Sequence, residues 1–320
     1  KIVRFTSDGK AVAYAREEGG KWHIYQTKKV RKEEPFFFAS TLIKEEALIS
    51  NDKDNYLPEF SPDGKLVAFI ESRRILKVMN LETKATTTLL TEDDLYHMRD
   101  GDKYFKWSPD SKWLLIGWRA TLSNGEVLLM SADGKKRVNL TESGYYDYAP
   151  KWVNGGKQML WFSNRDGLKS YATSGRTQSD VYSMFFTKES WDKFNMSKDD
   201  YELLQEIEKL EKKDEDKEEE TDKKKKKGKK EGDKKEDNVE SLKFDWEDME
   251  ERKARLTIHS SRLGDAVLSK DGENLYYLAR FEKGYNLWKT ELRTKSTSMA
   301  ISLGANSGSL MWEKDLKNLF

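Results

Sequence analysis

The stretch Leu57-Pro58-Glu59-Phe60-Ser61-Pro62-Asp63-Gly64-Lys65-Leu66-Val67-Ala68-Phe69-Ile70 joins a tight turn to a short apolar segment. In the turn, Pro62 fixes φ, the Asp63 side chain can bond nearby backbone, and Gly64 accepts a positive φ. The apolar residues Leu66 to Ile70 have the length of a strand and do not alternate with polar residues. The stretch therefore predicts a chain reversal followed by a β-strand that is buried on both faces.

The same phrase returns at five further places along the chain. The large apolar residue that opens each copy stands at positions 5, 60, 107, 152, 268 and 312, so the separations are 55, 47, 45, 116 and 44 residues. A unit of about 40 to 50 residues with several short strands has the length of a β-propeller blade and is too long for a leucine-rich or ankyrin repeat. The five further copies are Phe5–Tyr14, Trp107–Ile116, Trp152–Trp161, Leu268–Tyr277 and Trp312–Phe320.

Additional strand segments stand where four-stranded blades need them, separated by loops that carry Gly, Asn and Asp. The fold class predicted is therefore all-β, a β-propeller of four-stranded blades. About five blades and the start of a sixth are expected, and they form an incomplete ring because the last copy stops at Phe320 inside its first strand. The additional predicted strands are Trp22–Gln26, Ile75–Asn80, Thr86–Leu90, Glu126–Ser131, Arg137–Leu140, Val181–Phe186, Asn286–Thr290 and Met299–Leu303.

The interval of 116 residues predicts one long charged, partly helical insertion after Phe186. Asn195 or Ser197 can cap a helix near Lys198 to Lys212, whose Tyr201, Leu204, Ile207 and Leu210 fall on one face and predict docking on the propeller. From Glu211 to Asp237 only three residues are uncharged, so this part cannot bury enough apolar surface to offset its ordering entropy. We expect it to be disordered or a frayed helix.

These observations divide the chain into three parts. Residues 1–186 are expected to form propeller blades 1 to 4. Residues 187–241 are the charged insertion, helix first and then disordered. Residues 242–320 complete the propeller with blade 5 and the start of blade 6.

The composition limits the function classes. A net charge of +1 provides no global field for nucleic acid, and the acidic neighbours of Lys223 to Lys227 nearly cancel that basic run. No apolar run approaches the length of a membrane-spanning helix, and the absence of cysteine excludes disulfides and thiolate chemistry. We therefore expect no nucleic-acid partner and no membrane insertion.

The residues also carry no recognisable catalytic or metal-binding pattern. The three histidines, His23, His97 and His259, are not paired at ligand spacing, so a structural or surface role is favoured for each. There is no Gly-x-Ser-x-Gly elbow, phosphate loop or dinucleotide fingerprint. The aromatic run Tyr145 to Pro150 can line a central channel or pack under the next blade, and packing is favoured. The sequence predicts no catalytic residue, no cofactor and no metal ligand in this chain.

The repeat also resembles known families. Ser61-Pro62-Asp63-Gly64-Lys65 is similar to the propeller repeat of TolB-like proteins, of the prolyl oligopeptidase class and of tricorn-type proteases. The segment from Arg165 to Tyr182, the charged insertion and the segment Trp246 to Thr257, which ends in Arg-Leu-Thr, resemble a bacterial tricorn-like serine protease more specifically. In that family two propellers precede a PDZ domain and a protease core, and this chain resembles part of the second propeller.

The resemblance implies a function without catalytic residues in this segment, because the family's nucleophile, base and substrate anchors match no residues here. The first hypothesis is a non-catalytic propeller that gates or guides unfolded peptides to a downstream serine peptidase core. Its partners would be peptide substrates, the remaining domains of the same polypeptide and other copies in a homo-oligomer, in a periplasmic or other extracytoplasmic compartment. The alternatives are the propeller of a dipeptidyl or prolyl oligopeptidase, and a TolB-like envelope scaffold that binds proteins.

Overall fold

A computed structural model describes residues 3–31, 33–94, 104–119, 121, 124–170, 177–225, 240–313 and 315–320. Within these ranges twenty strands form five four-stranded sheets, each antiparallel and each in sequential strand order. The predicted all-β propeller architecture is confirmed. Blade 1 contains β1 (Arg4–Phe5), β2 (Ala11–Glu18), β3 (Lys21–Lys29) and β4 (Ile43–Ile49); blade 2 contains β5 (Asn55–Phe60), β6 (Leu66–Glu71), β7 (Ile75–Asn80) and β8 (Thr86–Leu90).

The other three blades follow the same pattern. Blade 3 contains β9 (Phe105–Trp107), β10 (Trp113–Trp118), β11 (Glu126–Ser131) and β12 (Arg137–Asn139). Blade 4 contains β13 (Asp147–Val153), β14 (Gln158–Ser163), β15 (Asp180–Phe185) and β16 (Lys253–Arg255). Blade 5 contains β17 (Arg262–Leu268), β18 (Asn274–Arg280), β19 (Tyr285–Glu291) and β20 (Ser296–Ala305). After blade 5, Trp312 forms a single antiparallel bridge with Leu319, which is the start of a sixth blade.

The turn that defines the repeat has the predicted geometry. In blade 2, the Ser61 hydroxyl donates to Asp63 Oδ1 at 2.5 Å and accepts from the Leu66 N–H at 2.9 Å. Gly64 has a φ of 70°. Blade 3 repeats these bonds but places Ser111 at the position of Gly64, with a φ of 62°. This strained residue has a partner in the neighbouring blade, because the Ser111 Oγ accepts from the Asp63 N–H at 3.0 Å.

Four apolar clusters hold consecutive blades together, one at each of the interfaces 1/2, 2/3, 3/4 and 4/5. Alternation along the strands explains this arrangement, since neighbouring residues of one strand point to opposite faces of the sheet. In β10, Leu114 and Ile116 pack against blade 2 while Leu115 packs against blade 4. These inner strands are therefore apolar on both faces, as the uninterrupted runs in the sequence predicted.

The insertion lies inside blade 4, between β15 and β16, and begins with two helices. Helix α1 (Lys188–Asn195) was not predicted, and α2 (Lys198–Lys225) extends beyond the predicted end at Lys212. The Ser197 hydroxyl caps α2 by accepting from the Asp200 N–H at 3.2 Å. Residues 226–239, where disorder was expected, lie outside the described residues. None of the described helices combines the length and apolar character that a membrane span requires.

The apolar stripe of α2 becomes more exposed toward its C-terminal end. Tyr201 is buried and Leu204 is half-buried, whereas Ile207 and Leu210 are 44% and 61% exposed. The helix therefore docks through the N-terminal part of its apolar face.

The chain returns from the insertion to blade 4 through a buried polar network. Asp180 at the start of β15 is fully buried and accepts from Arg255 Nη2 at 2.8 Å and from Thr257 Oγ1 at 2.7 Å. Ser260 donates to its other oxygen at 2.7 Å. The acidic residue before the insertion and the Arg-Leu-Thr phrase after it thus meet in one site. The network closes blade 4 although more than sixty residues separate β15 from β16 in sequence.

Candidate functional site

The first strands of the blades converge. Strand β13 contacts β9, β10 and β11, and β5 contacts β1, β2 and β3, so these two first strands lie against the strands of the blade before them. In a propeller this places the first strands around the central axis. Side chains that leave these strands toward the axis are therefore the residues that any axial ligand meets.

Five polar side chains form what we call the axial cluster: Glu59, Tyr104, Lys106, Lys151 and Asp265. Lys106 Nζ lies 2.8 Å from Glu59 Oε1 and joins blades 3 and 2, and Lys151 Nζ pairs with Asp265 Oδ1 and joins blades 4 and 5. The Lys106 ammonium is 5.8 Å from the centre of the Tyr104 ring. The cluster thus contains two cations and two carboxylates, and their charges balance.

The Tyr104 phenol lies within electrostatic reach of both carboxylates of the axial cluster. Burial raises the pKa of the Tyr104 phenol, and the negative charges of Glu59 in blade 2 and Asp265 in blade 5 raise this pKa further. A phenol in blade 3 can be sensitive to both carboxylates only if the first strands of the three blades approach a common centre.

The raised pKa of Tyr104 predicts a loss of stability in alkali. Above pH about 10 the unfolded chain loses this proton while the folded chain keeps it, so the stabilisation is complete below that pH and declines above it. Between pH 9.5 and 11 the melting temperature of the wild type should fall more steeply than that of Tyr104→Phe. Differential scanning calorimetry over this range measures the two slopes, and parallel slopes would contradict the prediction.

Backbone bulges help to position the axial charges. The register of β5 shifts between Tyr56 and Glu59, and the register of β13 shifts between Tyr148 and Lys151. Each bulge contains a residue with a φ of 51°, Leu57 or Ala149, followed by a proline. A bulge changes the direction of the side chains that follow it. The side chains of Glu59 and Lys151 therefore point in a different direction from the one they would have in a regular strand.

Tryptophan indoles connect the same strands. Trp107 Nε1 donates to the Glu59 carbonyl at 2.9 Å, and Trp152 Nε1 donates to the Lys106 carbonyl at 3.1 Å. At the start of the sixth blade, Trp312 Nε1 donates to the Leu268 carbonyl at 2.6 Å. Each bond fixes the backbone of a first strand from the next blade. The first strands that carry Glu59 and Lys106 are therefore hydrogen-bonded to the next blade as well as to their own sheet.

The residues considered in the sequence are not gathered at this site. His23 is buried in β3, His259 is exposed in the connection before β17, and His97 lies outside the described residues. In the aromatic run, Asp147 is buried and accepts from Trp161 Nε1 at 3.1 Å, while Tyr148 packs on Phe162. In the part of the chain that the structure describes, no group of three potential metal-ligating side chains occurs.

Sequence reasoning missed the axial cluster, although a signal was present. Glu59, Lys106 and Lys151 each stand immediately before the large apolar residue that opens a copy of the repeat. A charged residue at the same place in three first strands indicates a shared polar environment. Chemically, the cluster offers hydrogen-bond donors and acceptors of both charges, which suits binding of a polar chain.

The fold relates this chain to solved structures. In structure, the chain is similar to the tricorn protease. The superposition has a TM-score of 0.61 at 13% identity and covers 99% of this chain and 28% of that one. TolB from Acinetobacter baumannii gives a TM-score of 0.46 at 14% identity over 98% of this chain and 58% of that one. A putative TolB from Agrobacterium tumefaciens gives 0.40 at 19% identity over 57% and 62% of the two chains.

The structural likeness to the tricorn protease is a likeness of fold, because the identity is low. This chain spans little more than a quarter of that protein. No protein-family model matches the sequence, and no curated protein matches it.

Proposed function

We propose that this chain is a non-catalytic β-propeller of a tricorn-like serine peptidase and that it guides unfolded peptides toward a protease core. The observation that carries the proposal is the axial cluster, in which Lys106 and Lys151 face carboxylates of the neighbouring blades. An extended peptide presents backbone N–H and C=O groups along its whole length, so the carboxylates of the cluster can accept from its N–H groups and the ammonium groups can donate to its C=O groups. A folded protein presents few such groups to a narrow axis.

Two further features support this assignment. The similarity in fold to the tricorn protease extends over almost the entire chain, and the segments on both sides of the insertion resemble those of bacterial tricorn-like proteases. In this proposal the peptidase chemistry belongs to other domains of the same polypeptide, with a PDZ domain between propeller and core. In this proposal the protein works in a periplasmic or other extracytoplasmic compartment, and a cytoplasmic location is the alternative.

Binding of an unfolded peptide tests the proposal directly. We expect the chain to bind a fluorescein-labelled, reduced and unfolded polypeptide but not the same polypeptide in its folded, oxidised form, as measured by fluorescence anisotropy. Replacing both axial cations in Lys106→Met/Lys151→Met should weaken binding about tenfold, equivalent to about 1.4 kcal/mol. Lys135→Met is the matched control, because Lys135 is exposed and pairs only with exposed Asp133.

Two results would contradict the proposal. One is equal binding of the folded and unfolded polypeptides, and the other is unchanged affinity in the double variant. In the complete protein, removal of the propeller should also abolish the preference for short or unfolded substrates over folded ones. The chain by itself should cleave neither class.

A further inference from the structure

The returning end of the insertion lies in a groove between blades 3 and 4. The Leu242 N–H donates to Asp110 Oδ2 at 2.9 Å, and Lys112 Nζ donates to Ser241 Oγ at 2.5 Å. Three residues farther on, the Asp245 N–H donates to the Phe186 carbonyl at 2.9 Å. The chain thus crosses from the turn of blade 3 to the end of the third strand of blade 4.

Side chains of this segment fill the groove. The Phe244 ring is 5.0 Å from the rings of both Trp113 and Phe186, measured between centroids. Leu242 lies against Gly156, where an added Cβ would come within 2.7 Å of the leucine side chain. The segment is therefore held in the groove by an aromatic and an apolar side chain that are two positions apart, and by backbone hydrogen bonds at both ends.

The repeat places an equivalent groove between blades 2 and 3, and this one is open. It encloses a cavity of about 680 Å³ lined by Asp63, Lys65, Leu66 and Ala132 among others. Asp63 and Lys65 correspond to Asp110 and Lys112 in the turns, and Leu66 corresponds to Trp113. Ala132 corresponds to Phe186, because each donates its N–H to the carbonyl of the lysine in its own blade's turn, at 2.8 and 3.0 Å.

The equivalent hydrogen-bonding groups are available there. Asp63 Oδ1 accepts from the Ser61 hydroxyl and from the Lys65 N–H, and no described residue donates to Asp63 Oδ2. Asp110 has the same arrangement, with its Oδ2 accepting from the backbone of the bound segment. A backbone N–H is therefore the group that Asp63 Oδ2 is placed to accept.

Two differences between the grooves define the ligand. Ala132 in place of Phe186 and Leu66 in place of Trp113 enlarge the position that corresponds to Phe244, so a large aromatic side chain fits there. Ser111 replaces Gly156 and its hydroxyl bonds to the Asp63 N–H, so the position that corresponds to Leu242 is filled. This second position accepts a small residue.

We propose that the groove between blades 2 and 3 binds an extended peptide that carries a small residue and, two positions later, a large aromatic residue. The chain's own segment in the next groove shows the binding mode, with a peptide N–H on Asp63 Oδ2 and another on the Ala132 carbonyl. The site lies beside the turns that follow the first strands of blades 2 and 3, shares no residue with the axial cluster, and does not depend on the proposed function.

The test uses the whole chain and labelled hexapeptides in fluorescence anisotropy. Ser-Ala-Lys-Phe-Asp-Trp, which carries the small residue, should bind more tightly than Ser-Leu-Lys-Phe-Asp-Trp, the sequence of residues 241–246. Ser-Ala-Lys-Ala-Asp-Ala should lose binding at least tenfold, or about 1.4 kcal/mol. Equal affinity of the alanine peptide and the aromatic peptide would overturn the proposal.

Variants of the groove locate the binding. Ala132→Trp fills the aromatic position and should abolish binding, whereas Ala132→Ser leaves the cavity open and should bind as the wild type does. Asp63→Asn keeps an acceptor for the turn but replaces Oδ2 by a donor, so it should weaken binding several-fold. Thermal unfolding checks that each variant is folded. Two results would overturn the proposal: hexapeptide binding that persists in Ala132→Trp, and hexapeptide binding that is lost in Lys106→Met/Lys151→Met. Neither result bears on the function proposed for the axial cluster, which has its own test.

Discussion

Replacing Trp107 with alanine should lower the free energy of unfolding by about 3 to 5 kcal/mol, as expected for a large buried side chain. Trp107 is only 7% exposed and packs in the cluster that joins blades 2 and 3. Its Nε1 also donates to the Glu59 carbonyl at 2.9 Å. The variant therefore loses packing between two blades together with a bond that fixes the strand carrying Glu59. Since domains are stable by only about 5 to 15 kcal/mol, this one change should bring the chain close to unfolding at 37 °C.

Two conservative variants separate the hydrogen bond from the packing. Trp107→Phe keeps most of the apolar contact and should lose about 1 kcal/mol beyond the smaller packing loss, which is the net contribution of one hydrogen bond. Trp288→Phe is the matched control, because the buried Trp288 Nε1 has no partner among the described residues. Its replacement should be neutral or slightly stabilising. Equal losses in the two phenylalanine variants, measured by urea unfolding, would show that the indole bond between blades contributes nothing.

The repeat could be predicted because it rests on local chemistry. A turn such as Ser61 to Gly64 depends on the preferences of residues that are adjacent in sequence, so its copies locate the first two strands of every blade. Apolar runs such as Leu114 to Ile116 likewise reveal strands that are covered on both faces. Strand β4 escaped prediction because Ile43 to Ile49 contains charged residues on an outer strand, where solvent replaces a neighbouring blade.

The charged position before each repeat could be read from the sequence, but the ion pairs of the axial cluster could not, because they depend on contacts between blades. Glu59 and Lys106 are 47 residues apart, and Lys151 and Asp265 are 114 apart. Only closure of the blades around one axis brings them together. The exposure along α2 has a similar origin. The periodicity of Tyr201 to Leu210 predicts an apolar face, but periodicity does not specify what covers it, and Ile207 and Leu210 stay exposed while Tyr201 is buried.

Replacing Arg293 with alanine should detach helices α1 and α2 from blade 5. The Arg293 guanidinium pairs with Glu273, with Nη2 2.9 Å from Oε1, and lies 3.6 Å from the centre of the Tyr201 ring. It also donates to the carbonyls of Lys193 and Met196 at 3.0 and 2.8 Å, which satisfies the C-terminal end of α1. One side chain thus joins the sheet, the end of the first helix and the only buried residue in the described part of the second helix.

The expected loss is local and large. Removing one member of a buried, hydrogen-bonded ion pair costs about 3 to 5 kcal/mol, which corresponds to at least a hundredfold faster amide exchange in residues 188–204 if they open as one unit. The free energy of global unfolding should fall by no more than this local loss, because the packing between the blades is unchanged. Arg293→Lys keeps the positive charge but loses the planar guanidinium group with its several donors. Amide exchange in residues 188–204 should therefore be intermediate in this variant. Lys188→Ala removes only an exposed pair with Glu247 and should leave exchange unchanged. If exchange in residues 188–204 is the same in Arg293→Ala as in the wild type, Arg293 does not hold the insertion, and the apolar contacts of Phe185 with Trp191 and Phe194 must do so.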